Sequence, residues 1–249
     1  MELSAKTNAS IREHVLGCAP MEACGLVVAN TYLPCRNIAE NPKTDFLIDP
    51  HDQLNAERVG AIQAVIHSHV DQRIKSLSKQ DMTSQQEMEI PWGVVFVRHG
   101  LASDPVFFGD QIKPPPLEGR EFIHGIYDCW TLVRDYFRVN HKVTMPNPPR
   151  SWGWWEMAAG NLYLEGIMAG LPYIQNIAFE DNRDLVKLRA GDIVFAAVRS
   201  DRINHAAIYL GSNLILNHMV GGGSRIMPLS SGASSIRHVC RYVVEGPNA

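Results

Sequence analysis

The sequence predicts a two-domain protein, an α/β domain with a mixed sheet followed by an α+β domain. Three observations carry that prediction. Apolar strand-like runs alternate with short helical patterns over residues 1–110, without regular βαβ spacing. Residues 111–120 contain Pro114, Pro115 and Pro116 in a row, which favours an extended, solvated connector. Residues 121–249 begin with helix and end in a run of strands. At 249 residues, each half is long enough to bury its own core.

The elements follow in order. Ile11, Val15 and Leu16 mark a short helix before Pro20. Cys24–Ala29 reads as a buried strand, Leu33–Ala39 as its antiparallel neighbour, and Phe46–Ile48 as a short strand closed by Asp49-Pro50. Residues His51–Val59 are expected to be helical, Ala61–His67 a strand, and Ser78–Glu89 a polar helix capped by Ser78. Trp92–Arg98 and Val106–Phe108 complete the first sheet. Beyond the connector, Leu132, Val133, Tyr136 and Phe137 share one face of a helix over Cys129–Val139, ended before Pro146. A second helix is expected near Asn161–Met168. Strands are expected at Asp192–Val198, Asn204–Leu210, Asn213–His218, Arg225–Met227 and Ile236–Val244.

Composition removes several function classes. A net charge of -3 offers no basic stripe for nucleic acid and no basic face for a membrane. No apolar run approaches the ~20 residues of a membrane span. Met1–Lys6 lacks the layout of a secretion signal, so the expectation is a protein left in a cytoplasm. The five cysteines are odd in number and form no Cys-x-x-Cys, which argues against a disulfide framework or a structural zinc cluster.

One constellation belongs to metal chemistry. His67 and His69 lie two apart at a strand end, so both side chains leave the same face. Asp81, three residues after Ser78 in the first helical turn, offers a carboxylate oxygen. Three such ligands leave a fourth position for a water whose proton becomes acidic on zinc. Glu22 is the candidate general base and Ser78 the candidate oxyanion donor. Ser78-x-x-Asp81 is equally the pattern of a capping box, and His67 can simply end a core strand.

A second constellation belongs to thiol chemistry. Cys129 opens a predicted helix, where the helix terminus favours a thiolate. Gly211-Ser212 reads as a two-residue hairpin turn. Pairing Leu210 with Asn213 then sets His205 directly opposite His218, so that His218 orients His205 and His205 serves Cys129 as base. The alternative is a buried helix cysteine and an exposed cross-strand histidine pair.

Glu22, His67-Ser68-His69 and Ser78-x-x-Asp81 together resemble the JAMM (JAB or MPN) metallopeptidases over about residues 1–110. The resemblance implies a zinc isopeptidase, although Val70 stands where that family has proline. Tyr127-Asp128-Cys129, Asn204–Leu210 and Leu216-Asn217-His218 resemble the NlpC-type cell-wall peptidases over residues 121–249. That resemblance implies a papain-like fold, no cofactor, Cys129 as nucleophile, His205 as base, His218 as orienting residue, and Tyr127 beside the oxyanion site. Its expected substrate is a peptidoglycan stem peptide; Trp130 replaces a common serine. The succession of the two domains resembles the tail assembly proteins of lambda-like long-tailed phages. It implies tail-tip protein partners, with the host cytoplasm during assembly or the virion tail tip as location. A tail-tip assembly factor without catalysis is the competing reading.

Overall fold

The computed structural model describes residues 1–157, 162–163, 174–177 and 182–243. It divides into two compact units, residues 1–75 with 83–113, and residues 76–82 with 114–249.

The first unit is built on a six-stranded sheet. Helix α1 (Ala5–Cys18) starts where the Ser4 side chain accepts the Thr7 N–H, and it buries Ile11 and Val15 completely. Strands β1 (Cys24–Val28) and β2 (Thr31–Cys35) form a hairpin. Gly25 is required there, because a Cβ would lie 2.6 Å from the Leu33 carbonyl oxygen. Helix α2 (Pro50–Val59) is capped by Asp49. Strand β3 (Ile62–Val70) pairs antiparallel with β1 and parallel with β4 (Trp92–Arg98). A parallel pair needs a crossover, and α3 (Lys79–Met88) supplies it. The short strands β5 (Leu101–Ala102) and β6 (Val106–Phe108) pair with β4, giving the order β2-β1-β3-β4-β5 with β6 also on β4. Ile11 and Val15 of α1 pack on Val27, Ala64, Ile66, Val95 and Val97. The expected strand at Phe46–Ile48 is only a single bridge, Ile48 to Asn37.

The second unit sets one long helix against an antiparallel sheet. Helix α4 (Cys129–His141) opens with a capping box, in which Asp128 and Thr131 exchange side-chain and backbone hydrogen bonds. The sheet runs β11-β10-β9-β8-β12-β7, from β7 (Ile174–Ile177), β8 (Ile193–Ala196), β9 (His205–Gly211), β10 (Leu214–Asn217), β11 (Arg225–Pro228) and β12 (Ile236–Tyr242). Both faces are covered. Ile193, Phe195, Ala206, Ile208 and Leu216 join Trp130, Val133 and Phe137 in the main core. Their alternate neighbours Val194, Ala207 and Ile215 pack with Leu229, Ala233 and Val239.

One sequence expectation changes here. The connector is tied down rather than wholly solvated: Arg120 donates to the carbonyls of Pro115 and Pro116 and pairs with Asp135 at 2.6 Å, while Gly119 N donates to the Ser224 carbonyl. The helix expected near Asn161–Met168 lies outside the described residues but for Leu162 and Tyr163. No helix among the described residues is long and apolar enough to cross a membrane.

Candidate active site

Cys129 sits at the first turn of α4 and is 7% exposed. Its Sγ lies 3.2 Å from the Tyr163 hydroxyl. Burial pushes the thiol up to about 11, and Asp128 adds to the rise. Hydrogen bonds from Tyr163 and the Ala206 backbone, and the charge of Arg150, oppose it. The resting group is therefore a neutral thiol. A cavity of about 540 Å³ opens beside it, lined by Cys129, His205, His218 and the aromatic side chains of Phe122, Trp152, Trp154 and Trp155.

His205 begins β9 opposite Ala196 of β8. Its Nε2 lies 2.6 Å from Asn217 Oδ1. A carboxamide oxygen only accepts, so Nε2 carries the proton and Nδ1 keeps a lone pair. Asn217 Nδ2 is turned to Met227 Sδ at 3.0 Å, which fixes the amide in that orientation. Burial pulls His205 down to about 4, against the opposing pull of Asn217, and His218 adds to the drop. At neutral pH the imidazole is uncharged and can accept a proton.

The expected pairing of His205 with His218 is corrected. The hairpin turn is Ser212-Asn213, both at positive φ, and not Gly211-Ser212. A bulge next to Leu214 then shifts the register, so that Ile215 faces Tyr209 and Leu216 faces Ile208. That slip brings Asn217, not His218, to the His205 ring. His218 stays fully buried at the cavity, with its ring edge-on to Phe122 at 5.2 Å, and neither ring nitrogen has a hydrogen-bond partner among the described residues.

Tyr127, which the resemblance puts beside the oxyanion site, stands elsewhere in the same loop. It is not among the cavity-lining residues, and its ring lies under the Arg120 guanidinium at 5.5 Å. Trp130 is a core residue with no exposure; its indole N–H donates to the Pro146 carbonyl at 2.9 Å.

Beneath the cavity lies a buried charge network. Asp128 accepts from Arg150 at 2.6 Å, Gly125 N at 2.8 Å and Thr131 N at 2.9 Å, and stands 3.5 Å from His124. Burial alone would raise the Asp128 carboxyl, but Arg150, His124 and the two amides outweigh it and hold it well below the usual carboxylate range. Burial draws His124 down to about 4.

The other cluster gathers His67 and His69 of β3 with Asp81 of α3. One ligand atom from each lies within 4.8 Å of the others, and all three are buried. That spacing and that mixture of imidazoles and carboxylate fit a divalent zinc-type ion. Glu22 Oε1 stands 3.6 Å from His69 Nε2, while His69 Nδ1 meets Gln72 at 3.0 Å. The backbone around Glu22 is fastened by Glu22 N to the Pro42 carbonyl, by Asn37 to the Glu22 carbonyl, and by Ala23 N to Ser68 Oγ. Ser78 and Asp81 do form the capping-box pair. Ser78 N donates to Asp81 Oδ2 at 2.7 Å, and Asp81 N donates to Ser78 Oγ at 3.0 Å.

The profile of the NlpC/P60 family matches residues 119–243, the stretch that holds Cys129, His205, Asn217 and their cavity. The chain belongs to the NlpC/P60 family. Tail tip assembly protein K of Escherichia phage N15 is 31% identical to this NlpC/P60 protein over 227 residues, 90% of this chain and 88% of that one. Tail tip assembly protein K of Escherichia phage lambda is 33% identical over 173 residues, 69% and 77% of the two chains. A solved NlpC/P60 family protein from Bacillus cereus ATCC 10987 aligns with 93% of this chain and 67% of its own at 12% identity and a TM-score of 0.34. Residues 67, 69 and 81 lie outside the segment matched to the family.

Within the NlpC/P60 segment, sequence reasoning missed Asn217, Asp128, Arg150 and Tyr163. Two signals were available. Gly211 ahead of Ser212-Asn213 marks a bulge site before the turn, and Asp128-x-x-Thr131 before an apolar run marks a capping box. Arg150 and Tyr163 carry no local signal.

Proposed function

We propose that this NlpC/P60 protein is a phage tail tip assembly protein whose second unit is a thiol endopeptidase for peptidoglycan stem peptides. The observation that carries the reading is the 2.6 Å bond from His205 Nε2 to Asn217 Oδ1, in a cavity shared with Cys129. It leaves Nδ1 as the base. With Cys129 a neutral thiol and His205 a neutral imidazole, the proton passes to Nδ1 as sulfur attacks the scissile carbonyl. The same imidazolium then protonates the leaving amine, and water, deprotonated by His205, releases the acyl group from sulfur. Asn217 orients the ring, and Tyr163 stands at the sulfur. The tail role is supported by the two phage relatives, which match most of the chain.

The His67, His69 and Asp81 cluster is proposed as the site of a zinc isopeptidase or protease of the JAMM type. His67, His69 and Asp81 would hold the ion, which supplies a water acidified to near neutral pH. Glu22 Oε1 is the proton acceptor at that site, and the Ser78 hydroxyl is the hydrogen-bond donor to the substrate oxygen.

Digestion of purified peptidoglycan by wild type and Cys129→Ala, followed by mass analysis, tests the main reading. New peptide ends with wild type alone support it. Intact stems with both leave a non-catalytic assembly factor. Zinc measured on the same samples tests the His67, His69 and Asp81 cluster: about one ion per chain is expected, and none after His69→Ala.

A further inference from the structure

The hydrogen-bond chain that sets the His205 ring does not end at Asn217. The Asn217 side chain is buried; its Oδ1 takes the His205 N–H at 2.6 Å, and its Nδ2 donates to Met227 Sδ at 3.0 Å. Among the described residues, Nδ2 has no other hydrogen-bond partner. A thioether sulfur only accepts, so it selects which end of the amide faces His205. Turned over, the amide would set Oδ1 against the sulfur lone pairs.

Met227 stands where a small solute reaches it. It lies on β11, first in the strand order of its sheet, opposite Ile215 and between the exposed residues Ile226 and Pro228. Its side chain is only partly buried, at the margin of the cluster that holds Val194, Ala207 and Ile215. The sulfur of Cys129 differs. Burial keeps it protonated, and a thiol reacts with peroxide as the thiolate. A thioether has no proton to lose, so its lone pair is available at neutral pH.

We propose that Met227 is a modification site: a hydroperoxide oxidises its sulfur, and the sulfoxide releases Asn217 from His205. The effect on rate rests on the endopeptidase reading; the modification goes beyond it. The sulfur lone pair attacks the outer peroxide oxygen and the O–O bond breaks. The departing oxygen takes the proton of the transferred one and leaves as water or an alcohol. The product is a polar sulfoxide, which methionine sulfoxide reductases return to the thioether. An oxygen set into the 3.0 Å gap comes far inside the ~2.7 Å that an N–H···O bond needs. An oxygen turned away leaves the positive end of the S=O dipole facing an N–H donor. Either geometry pushes the amide off, and His205 loses the partner that keeps its proton on Nε2.

The test treats the full chain with hydrogen peroxide and maps sulfoxide at each methionine by mass spectrometry. Nitrogen-15 shifts of the His205 ring and stem-peptide kinetics are read before and after. Oxidation at Met227 should take the ring out of its single Nε2–H tautomer and lower kcat roughly tenfold with KM little changed, the scale of one hydrogen bond. Methionine sulfoxide reductase should restore both, which separates the effect from oxidation of Cys129. Met227→Leu should show the altered ring without peroxide. Met227→Gln, whose side-chain carbonyl again accepts from Nδ2, should bring the Nε2–H tautomer back. Loss of kcat that follows sulfoxide at Met219, which lines the cavity, and not at Met227 overturns the inference. So does a His205 ring unchanged by oxidation at Met227, or a Met227 left intact while the exposed Met157 is converted. If untreated wild type cleaves no stem peptide, the endopeptidase reading falls and the ring shifts alone decide the inference.

Discussion

The two reactive clusters are assembled in opposite ways. His67, His69 and Asp81 come from one strand and the helix that follows it, within fifteen residues of sequence. Cys129, His205 and Asn217 come from a helix start and two strands far along the chain, and they depend on a hairpin register. The first arrangement follows from period and spacing alone. The second is set by a bulge that moves every later residue of β10 by one place relative to β9. Proximity in sequence makes a site legible; register makes it fragile.

The largest effect that could break this contrast is at sulfur. Cys129→Ala should lower stem-peptide cleavage by about 10³-fold or more, leaving zinc content unchanged. Unchanged cleavage would move the chemistry elsewhere.

Next come the two neighbours on β10. Asn217→Ala should reduce kcat about 10²-fold with little change in KM, because it frees the His205 ring. His218→Ala should cost less than tenfold. The reverse order would restore the register expected from sequence.

A buried pair gives the third contrast. Arg150→Met leaves the Asp128 carboxylate buried without its 2.6 Å partner, and urea unfolding should show a loss of about 3–5 kcal/mol. The exposed pair Arg12–Asp104 in the first unit should cost under about 1 kcal/mol when Arg12→Ala removes it.

Acid should act on the second unit through its histidines. His124 and His205 sit near 4 in the fold, below the ordinary imidazole value of about 6.5. Between those values the unfolded chain binds more protons, so stability is complete above about 6.5 and falls as pH drops toward 4. Unfolding free energies at pH 7 and 4.5 should differ by roughly 1–3 kcal/mol, and His124→Gln should shrink that gap. Asp128, held low, loses its contribution only at more acidic pH.

Most of the sheet strands were readable because alternation and buried apolar runs mark them: Trp92–Arg98 and Val106–Phe108 have the bounds that composition suggests. Helix α4 was readable from its apolar face. The Phe46–Ile48 strand failed because a three-residue apolar run carries no partner information; the loop is organised by the Asn37 side chain, which accepts from Ala39 N and Leu47 N. The prolines read as an extended, solvated connector because nothing local reveals that Arg120 reaches back to their carbonyls. At the site, Cys129 and His205 both line one cavity. A tight turn without a bulge, the simplest hairpin, puts His218 in the orienting place; the bulge puts Asn217 there. The resemblance puts Tyr127 beside the oxyanion site, whereas the hydroxyl at the sulfur belongs to Tyr163, 34 residues after Cys129.

The tautomer and charge of His205 test the central claim most directly. Nitrogen-15 shifts of its ring at pH 7 should show Nε2 protonated and Nδ1 bare, with titration near pH 4 and sensitivity to Asn217→Ala. A ring protonated on Nδ1, or an imidazolium already formed at neutral pH, would contradict it.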